Sequence, residues 1–288
     1  MTHRLSIAYS PCPNDTFVFH AWQAGRLPGV EPPAVTIADI DVTNDLATRG
    51  ELDILKISYA ALPYVLDRYA LLPCGGALGH GCGPLVLTRD VRDPAARAGR
   101  VVAIPGERST AYLLFRLWAA QAIPGGMRSV VLPFHEIMPA VRDGRVDAGL
   151  VIHEARFTYA GFGLNAIADL GVVWESMTGR PLPLGAIVAR RALGPRRLAD
   201  IADTIRASVR HAWADPTASR DYVREHAQEL APEVAERHIS LYVNEYTEDI
   251  GETGYAAVRE LMDRLAAAGM APPVTPDSLR LPALAPAP

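Results

Sequence analysis

Apolar residues along the chain gather in short runs. Those at Leu5–Tyr9, Val35–Asp39, Asp53–Ile57, Leu85–Thr88, Val101–Ile104, Val130–Pro133 and Ala148–Ile152 have the length of β-strands. Between them, Thr16–Ala24, Asn44–Gly50, Tyr59–Asp67, Ser109–Gln121 and Ile137–Asp143 repeat their apolar positions at helical spacing. This alternation predicts βαβ units and a largely parallel sheet. Thr43 and Ser109 precede helical patterns and are expected N-caps, each hydroxyl accepting from a backbone N–H of the first turn. After a further strand, Gly185–Arg191 ("GAIVARR"), the pattern changes. Residues from about Arg197 to Ala268 read as nearly all helical, with "IADTIRASVRHAW" and "GYAAVRELMDRLAAAG" strongly amphipathic. The tail "PVTPDSLRLPALAPAP" is proline-rich and is expected to be loose or draped on the surface.

Two segments match each other in design. "ELDILKISYAAL" and "RVDAGLVIHEA" each run from an acidic residue through an apolar strand to a polar residue at its C-terminal end. In open α/β sheets ligands bind outside those carboxyl ends, which puts Ser58 and His153 in equivalent places. The expected architecture is α/β and two-lobed, with the ligand cleft between the lobes and a helical C-terminal part. Residues 1–86 with 186–288 form the first lobe and 87–185 the second, and "GPLVLTR" and "LGAIVARR" are the crossovers.

Composition narrows the function. The 288 residues are 49% hydrophobic and 21% charged, a globular balance with enough chain for two domains. A net charge of −4 and scattered arginines argue for no nucleic acid partner and no anionic membrane surface. The first apolar stretch breaks at Pro11, before the length of a secretory signal, and no run approaches a membrane span, so a cytoplasmic location is expected. Three cysteines, Cys12, Cys74 and Cys82, cannot all pair, and packed thiols are expected rather than disulfides. "CGGALGHGC" around His80 has no Cys-x-x-Cys pair, and a metal site there is disfavoured. No phosphate-binding glycine motif and no Gly-x-Ser-x-Gly elbow occurs, which leaves nucleotide cofactors and covalent hydrolysis without support. Nothing in the pattern specifies an oligomeric state.

Three places can carry chemistry. Of the 28 lysines and arginines, Lys56 is the only lysine; it serves either a tight pocket that needs a compact ammonium or a structural ion pair. "PGERSTAYLLF" runs from a strand end through a glycine turn into a helix, so Ser109 and Thr110 either bind an anion at the helix N-terminus or simply cap it. His153, in "LVIHEARFTY", ends a strand and can accept a proton near neutral pH, with Glu154 beside it; a structural histidine is the competing reading.

The strings "YSPCPNDTFVFHAW", "ALGHGCGPLVL", "IPGERSTAYLLFRL" and "GLVIHEARFTY" together resemble the 1,4-dihydroxy-6-naphthoate synthase family of the futalosine route to menaquinone, in the family's order and over nearly the whole chain. The resemblance implies a periplasmic-binding-protein-like type II fold. It also implies a lyase without metal or organic cofactor, acting on a small-molecule substrate, cyclic dehypoxanthine futalosine. The proton acceptor falls on His153, and the substrate-binding positions fall on Lys56, Ile57, Ser58, Ser109 and Thr110. Asn14 and Asp15, in the corner stiffened by Pro11 and Pro13, either cap the following helix or touch the ligand. Lys56 either holds the substrate carboxylate or points elsewhere, and His80 is a competing base if it reaches the cleft. Two alternatives share the fold: chorismate dehydratase of the same pathway, against which the Pro-Cys-Pro-Asn-Asp string argues, and a small-anion binding protein without chemistry.

Overall fold

The computed structural model describes residues 4–90, 93–227 and 231–282. It divides into two compact units, residues 1–79 with 183–288 and residues 80–182.

The first unit opens with strand β1 (Ser6–Tyr9), helix α1 (Pro13–Gln23), β2 (Ala34–Ile37), α2 (Ile40–Arg49) and β3 (Ile54–Ser58). Two short strands follow, β4 (Tyr69–Leu71) and β5 (Ala77–Gly79). The second unit contains β6 (Leu85–Thr88), β7 (Val101–Ile104), α3 (Thr110–Ala122), β8 (Arg128–Val131), α4 (Phe134–Arg142), β9 (Ala148–Val151), α5 (Ala155–Thr158), β10 (Asn165–Asp169) and α6 (Leu170–Thr178). The chain returns to the first unit through β11 (Leu182–Arg190). It ends in α7 (Pro195–Ala214), α8 (Arg220–His226), α9 (Pro232–Tyr242), α10 (Glu245–Glu248) and α11 (Gly251–Ala267).

The first unit's sheet runs β2-β1-β3-β11-β4, with β5 also paired to β11. Here β2, β1 and β3 are parallel, while β11 runs antiparallel to β3, Gly185 opposite Ser58 and Ile187 opposite Lys56. The second unit's sheet runs β10-β6-β9-β7-β8. Its β9, β7 and β8 are parallel, with β6 antiparallel to β9. The parallel pairing in each sheet brings consecutive strand ends to one edge, where connecting turns can present polar groups.

Each core follows from the strand pattern. β1 and β3 are almost wholly buried, as strands covered on both faces must be. Tyr9, Phe19, Trp22, Ile54, Ile187 and Ile205 form the heart of the first unit's core. Leu87, Ala103, Ile137, Val141 and Val151 fill the second. The amphipathic α7 lays Leu198, Ile201, Ile205 and Val209 on the first core, as its sequence pattern predicts.

Several elements differ from the sequence expectations, each for a local reason. α1 begins at Pro13 rather than Thr16: proline at the first helical position has its fixed φ already helical and loses only a donor that would be unbonded. Asn14 and Asp15 therefore lie inside the first turn and are not caps. Thr43 is not an N-cap either. α2 starts at Ile40 behind Asp39, and the Thr43 hydroxyl donates within the helix to the Ile40 carbonyl at 3.1 Å. The expected helix over Tyr59–Asp67 is only a 3₁₀ turn, Tyr59–Tyr64, because Pro63 cannot continue an α-helical ladder. β8 starts two residues before its expected start at Val130. The strands β4, β5 and β10 and the helix α6 were not anticipated. In the tail, Pro276–Leu279 forms a 3₁₀ turn with Leu279 buried, while residues 283–288 lie outside the described residues.

Candidate functional site

In the first unit the turn after β1 closes on itself. Asp15, from the first turn of α1, accepts from the Ser10 hydroxyl at 2.7 Å and the Ser10 N–H at 3.3 Å through Oδ2. Its Oδ1 accepts from the Asn14 amide at 2.8 Å and from the Lys56 ammonium at 2.5 Å. Lys56 and Asp15 are both nearly inaccessible, with side chains 4% and 3% exposed. The polar corner thus exists to hold a buried carboxylate that receives the chain's only lysine. Asn14 is engaged in turn by His238 from α9, whose Nε2 lies 2.9 Å from Asn14 Oδ1.

Lys56 reaches Asp15 across the face of β11. A Cβ built on Gly185 would stand 2.6 Å from Lys56 Cε, so only glycine leaves the lysine this course. The branched, planar guanidinium of an arginine would not follow it. The next residue, Ile57, is fully buried in the sheet opposite Ala186. Ser58 is held by Asn44 of α2: its N–H donates to Asn44 Oδ1 at 2.8 Å, and its hydroxyl accepts from Asn44 Nδ2 at 3.2 Å. Of the expected site residues in this unit, the structure therefore gathers Asn14, Lys56 and Ser58 at one sheet edge, while the Ile57 side chain belongs to the core. Beside this network Tyr9 contacts Tyr222 of α8, oxygen to oxygen at 2.9 Å. Burial first, and then Tyr222 and the nearby Asp15 charge, push the Tyr9 phenol far above its ordinary range, so it stays neutral.

In the second unit the parallel, adjacent strands β7 and β9 end at one edge. The turn after β7 leads to Ser109, the N-cap of α3, whose hydroxyl donates to the Gly106 carbonyl at 2.8 Å and accepts from the Tyr112 N–H at 3.1 Å. The capping reading of Ser109 holds, and Thr110 is buried in the first turn of α3. After β9 the chain turns sharply. His153 has φ +58°, the one non-glycine residue at positive φ among the described residues. Such a conformation carries strain and concentrates at functional sites. The Phe134 ring, at the start of α4, packs 5.2 Å from the His153 ring. Arg156, in α5 just after the turn, donates to the Gly83 carbonyl at 2.8 Å and to Asp169 at 2.5 Å. Asp169 also caps α6 through its other oxygen.

The loop "GHGCG" is tied to α6 through Glu175. His80 Nδ1 lies 3.2 Å from a Glu175 oxygen, and Glu175 also accepts from the Gly81 N–H at 2.7 Å. Burial, with Glu175 adding, pushes the Cys82 thiol up to about 12. Cys74 is likewise pushed up to about 12 by burial and donates to the Ala202 carbonyl at 3.3 Å in the core. These are packed thiols in the sense the sequence suggested. The sequence alone does not single out Ser10, Asn44, Arg156, Asp169 or His238; apart from Ser10, whose partner Asp15 is five residues on, they act by contacts more distant in sequence.

The comparisons with known proteins agree in direction. Residues 5–267 match the model of a family described by menaquinone biosynthesis. A 1,4-dihydroxy-6-naphthoate synthase of Streptomyces coelicolor is 66% identical, over 96% of this chain and 98% of that one. One from Thermus thermophilus is 45% identical, over 93% and 96%. A solved structure from Archaeoglobus fulgidus superposes with TM-score 0.86 at 32% identity, over 93% of this chain and 99% of that one. A Candida albicans protein described as exhibiting the generic periplasmic binding protein fold reaches TM-score 0.68 at 14% identity, over 96% and 93%, a likeness of fold alone. The chain belongs to the menaquinone-biosynthesis family, is homologous to the 1,4-dihydroxy-6-naphthoate synthases and has the periplasmic-binding-protein fold.

Proposed function

We propose that this protein is itself a 1,4-dihydroxy-6-naphthoate synthase, a carbon–carbon lyase acting on cyclic dehypoxanthine futalosine. The observation that carries the reading is the identity of 66% over nearly the full length of both chains. The strained His153 supports the assignment of the proton acceptor. In this reading His153 removes a proton from the sugar-derived ring of the substrate. The carbon–carbon bond then breaks, a dihydroxyacetone-type fragment leaves, and the second ring becomes aromatic. A neutral imidazole matches such a step because its ordinary pKa lies close to the working pH.

In this reading the substrate-binding positions are Asn14, Lys56, Ser58, Ser109 and Thr110. The Ile57 side chain has no part, so that position acts through its backbone. Because the Ser109 hydroxyl is committed to Gly106 and Tyr112, the attraction of the α3 N-terminus for the substrate carboxylate comes chiefly from its dipole and backbone N–H groups. Lys56 is paired with Asp15 and offers the substrate a positioned, partly compensated ammonium. No helix among the described residues is long and apolar enough to cross a membrane, and the reading places the enzyme in the cytoplasm.

The test is incubation of chelator-treated protein with cyclic dehypoxanthine futalosine, with product sought by mass. Formation of 1,4-dihydroxy-6-naphthoate without added metal or cofactor is expected. Saturable binding without product would make the chain a receptor. Turnover of chorismate instead would make it a dehydratase.

A further inference from the structure

We infer that His238 is a positioning residue for Lys56, acting through Asn14 and Asp15. The inference rests on the reading of Lys56 as a substrate-binding group, and extends it to a residue contributed by α9, more than 180 positions further along the chain. All four side chains are buried: Asn14 8%, Asp15 2%, Lys56 3% and His238 2% exposed. They come from three different stretches of the fold, the first turn of α1, β3 and α9, and the hydrogen bonds between them form one unbroken line.

The direction of that line is fixed by elementary donor and acceptor rules. An ionised carboxylate only accepts, so the group Asn14 presents to Asp15 must be its NH₂. The Asn14 oxygen then faces His238 and can only accept, so His238 Nε2 carries a hydrogen and donates it. The line therefore reads His238 N–H to Asn14 oxygen, Asn14 NH₂ to Asp15 Oδ1, and Lys56 ammonium to the same Oδ1. Ser10 supplies the other two donors, to Oδ2. The Asp15 carboxylate is thus held by four donors, and the oxygen that locates Lys56 is the one Asn14 shares.

Without a donor at position 238 the Asn14 amide loses the contact that sets its orientation. Turned over, it would aim its oxygen at Asp15, repel the carboxylate and displace the acceptor on which Lys56 rests. His238 also packs against Tyr242, the rings tilted with centroids 4.4 Å apart, so a packing role has to be separated from a donor role. The two roles make opposite demands. Glutamine can place its NH₂ near the position of Nε2 but gives up the ring contact, phenylalanine keeps the ring contact without a donor, and asparagine is too short to reach.

The sole lysine makes the experiment direct. Lysine labelled with ¹⁵N and ¹³C, incorporated into the full chain, gives one side-chain signal, that of Lys56. The expected result is that His238→Gln keeps the parent signal and its protection from solvent exchange, whereas His238→Phe shifts the signal and loses that protection. With cyclic dehypoxanthine futalosine, His238→Phe should raise KM about tenfold, the scale of one lost net hydrogen bond, with kcat within threefold, and His238→Gln should restore KM. His238→Asn should behave as the phenylalanine variant does, and replaces it if that variant fails to fold. A Lys56 signal unmoved in His238→Phe, or moved equally by Gln and Phe, would overturn the inference. A parent protein without turnover would instead count against the proposed function, while the lysine signal would still decide the role of His238.

Discussion

The buried Lys56–Asp15 pair makes a sharp quantitative prediction. Both side chains are almost fully out of solvent, and the ammonium sits 2.5 Å from the carboxylate. Removing one member of such a pair leaves an uncompensated buried charge, which costs about 3–5 kcal/mol. The two single variants should not be equal. Lys56→Met leaves Asp15 with donors from Ser10 and Asn14, so its cost should fall near the lower end, about 3 kcal/mol. Asp15→Leu takes the acceptor from Lys56 and also leaves Ser10 and Asn14 without theirs, so it should cost about 5 kcal/mol. The double variant buries no charge and should be less damaged than the sum of the singles by at least about 2 kcal/mol. The assay is urea unfolding of the parent, both singles and the double variant. Single variants each costing under about 1 kcal/mol, or strictly additive costs, would refute the idea that this pair is held out of solvent as a unit.

Three further outcomes follow from particular contacts. Gly185→Ala puts a methyl 2.6 Å from Lys56 Cε, so the end of the lysine side chain must shift beside Asp15; weaker substrate binding with intact secondary structure is expected, measured by calorimetry beside circular dichroism. Cys74 and Cys82, with thiols pushed up to about 12, hold only about one thiolate in 10⁴ at pH 8, so native protein should leave both unreacted with a disulfide reagent until denaturant is added. Burial, helped by Arg26 and His211, lowers the His20 pKa below the ordinary imidazole value. The folded state then binds fewer protons than the unfolded chain, so this contribution to stability is present above about pH 6.5 and lost as pH falls through the lowered folded value. The acid limb of a thermal-midpoint profile should flatten in His20→Gln.

The first unit's strands could be read because β1 and β3, covered on both faces, need unbroken apolar runs, and those runs are visible without any partner. The same is true of α3 and of the long helix α7, whose apolar stripes are local properties of the sequence. The short strands β4 and β5 were not legible, since they owe their state to pairing with β11, far along the chain. Proline was misread in both directions: Pro13 begins a helix instead of preventing one, and Pro63 cuts short a pattern that looked helical. For the site, strand-end position pointed to Ser58 and His153, and the solitary lysine pointed to Lys56. What the lysine touches was not legible. Asp15 meets it across 41 positions, and His238 meets Asn14 across 224, distances over which a single sequence carries no trace of contact. Nor does residue order reveal that His153, between β9 and α5, adopts positive φ.

The central claim is that His153 is the proton acceptor of a lyase, and His153→Asn tests it most directly. Asparagine tolerates positive φ better than most residues, so the turn after β9 should keep its shape while the base is lost. The measurement is a single-turnover reaction of parent and variant with cyclic dehypoxanthine futalosine, with binding of the substrate measured in parallel. The account predicts that the variant binds within a few-fold of the parent while the rate of 1,4-dihydroxy-6-naphthoate formation falls by about 10²–10⁴-fold, the usual worth of a positioned general base. A variant that forms product within tenfold of the parent rate would contradict it.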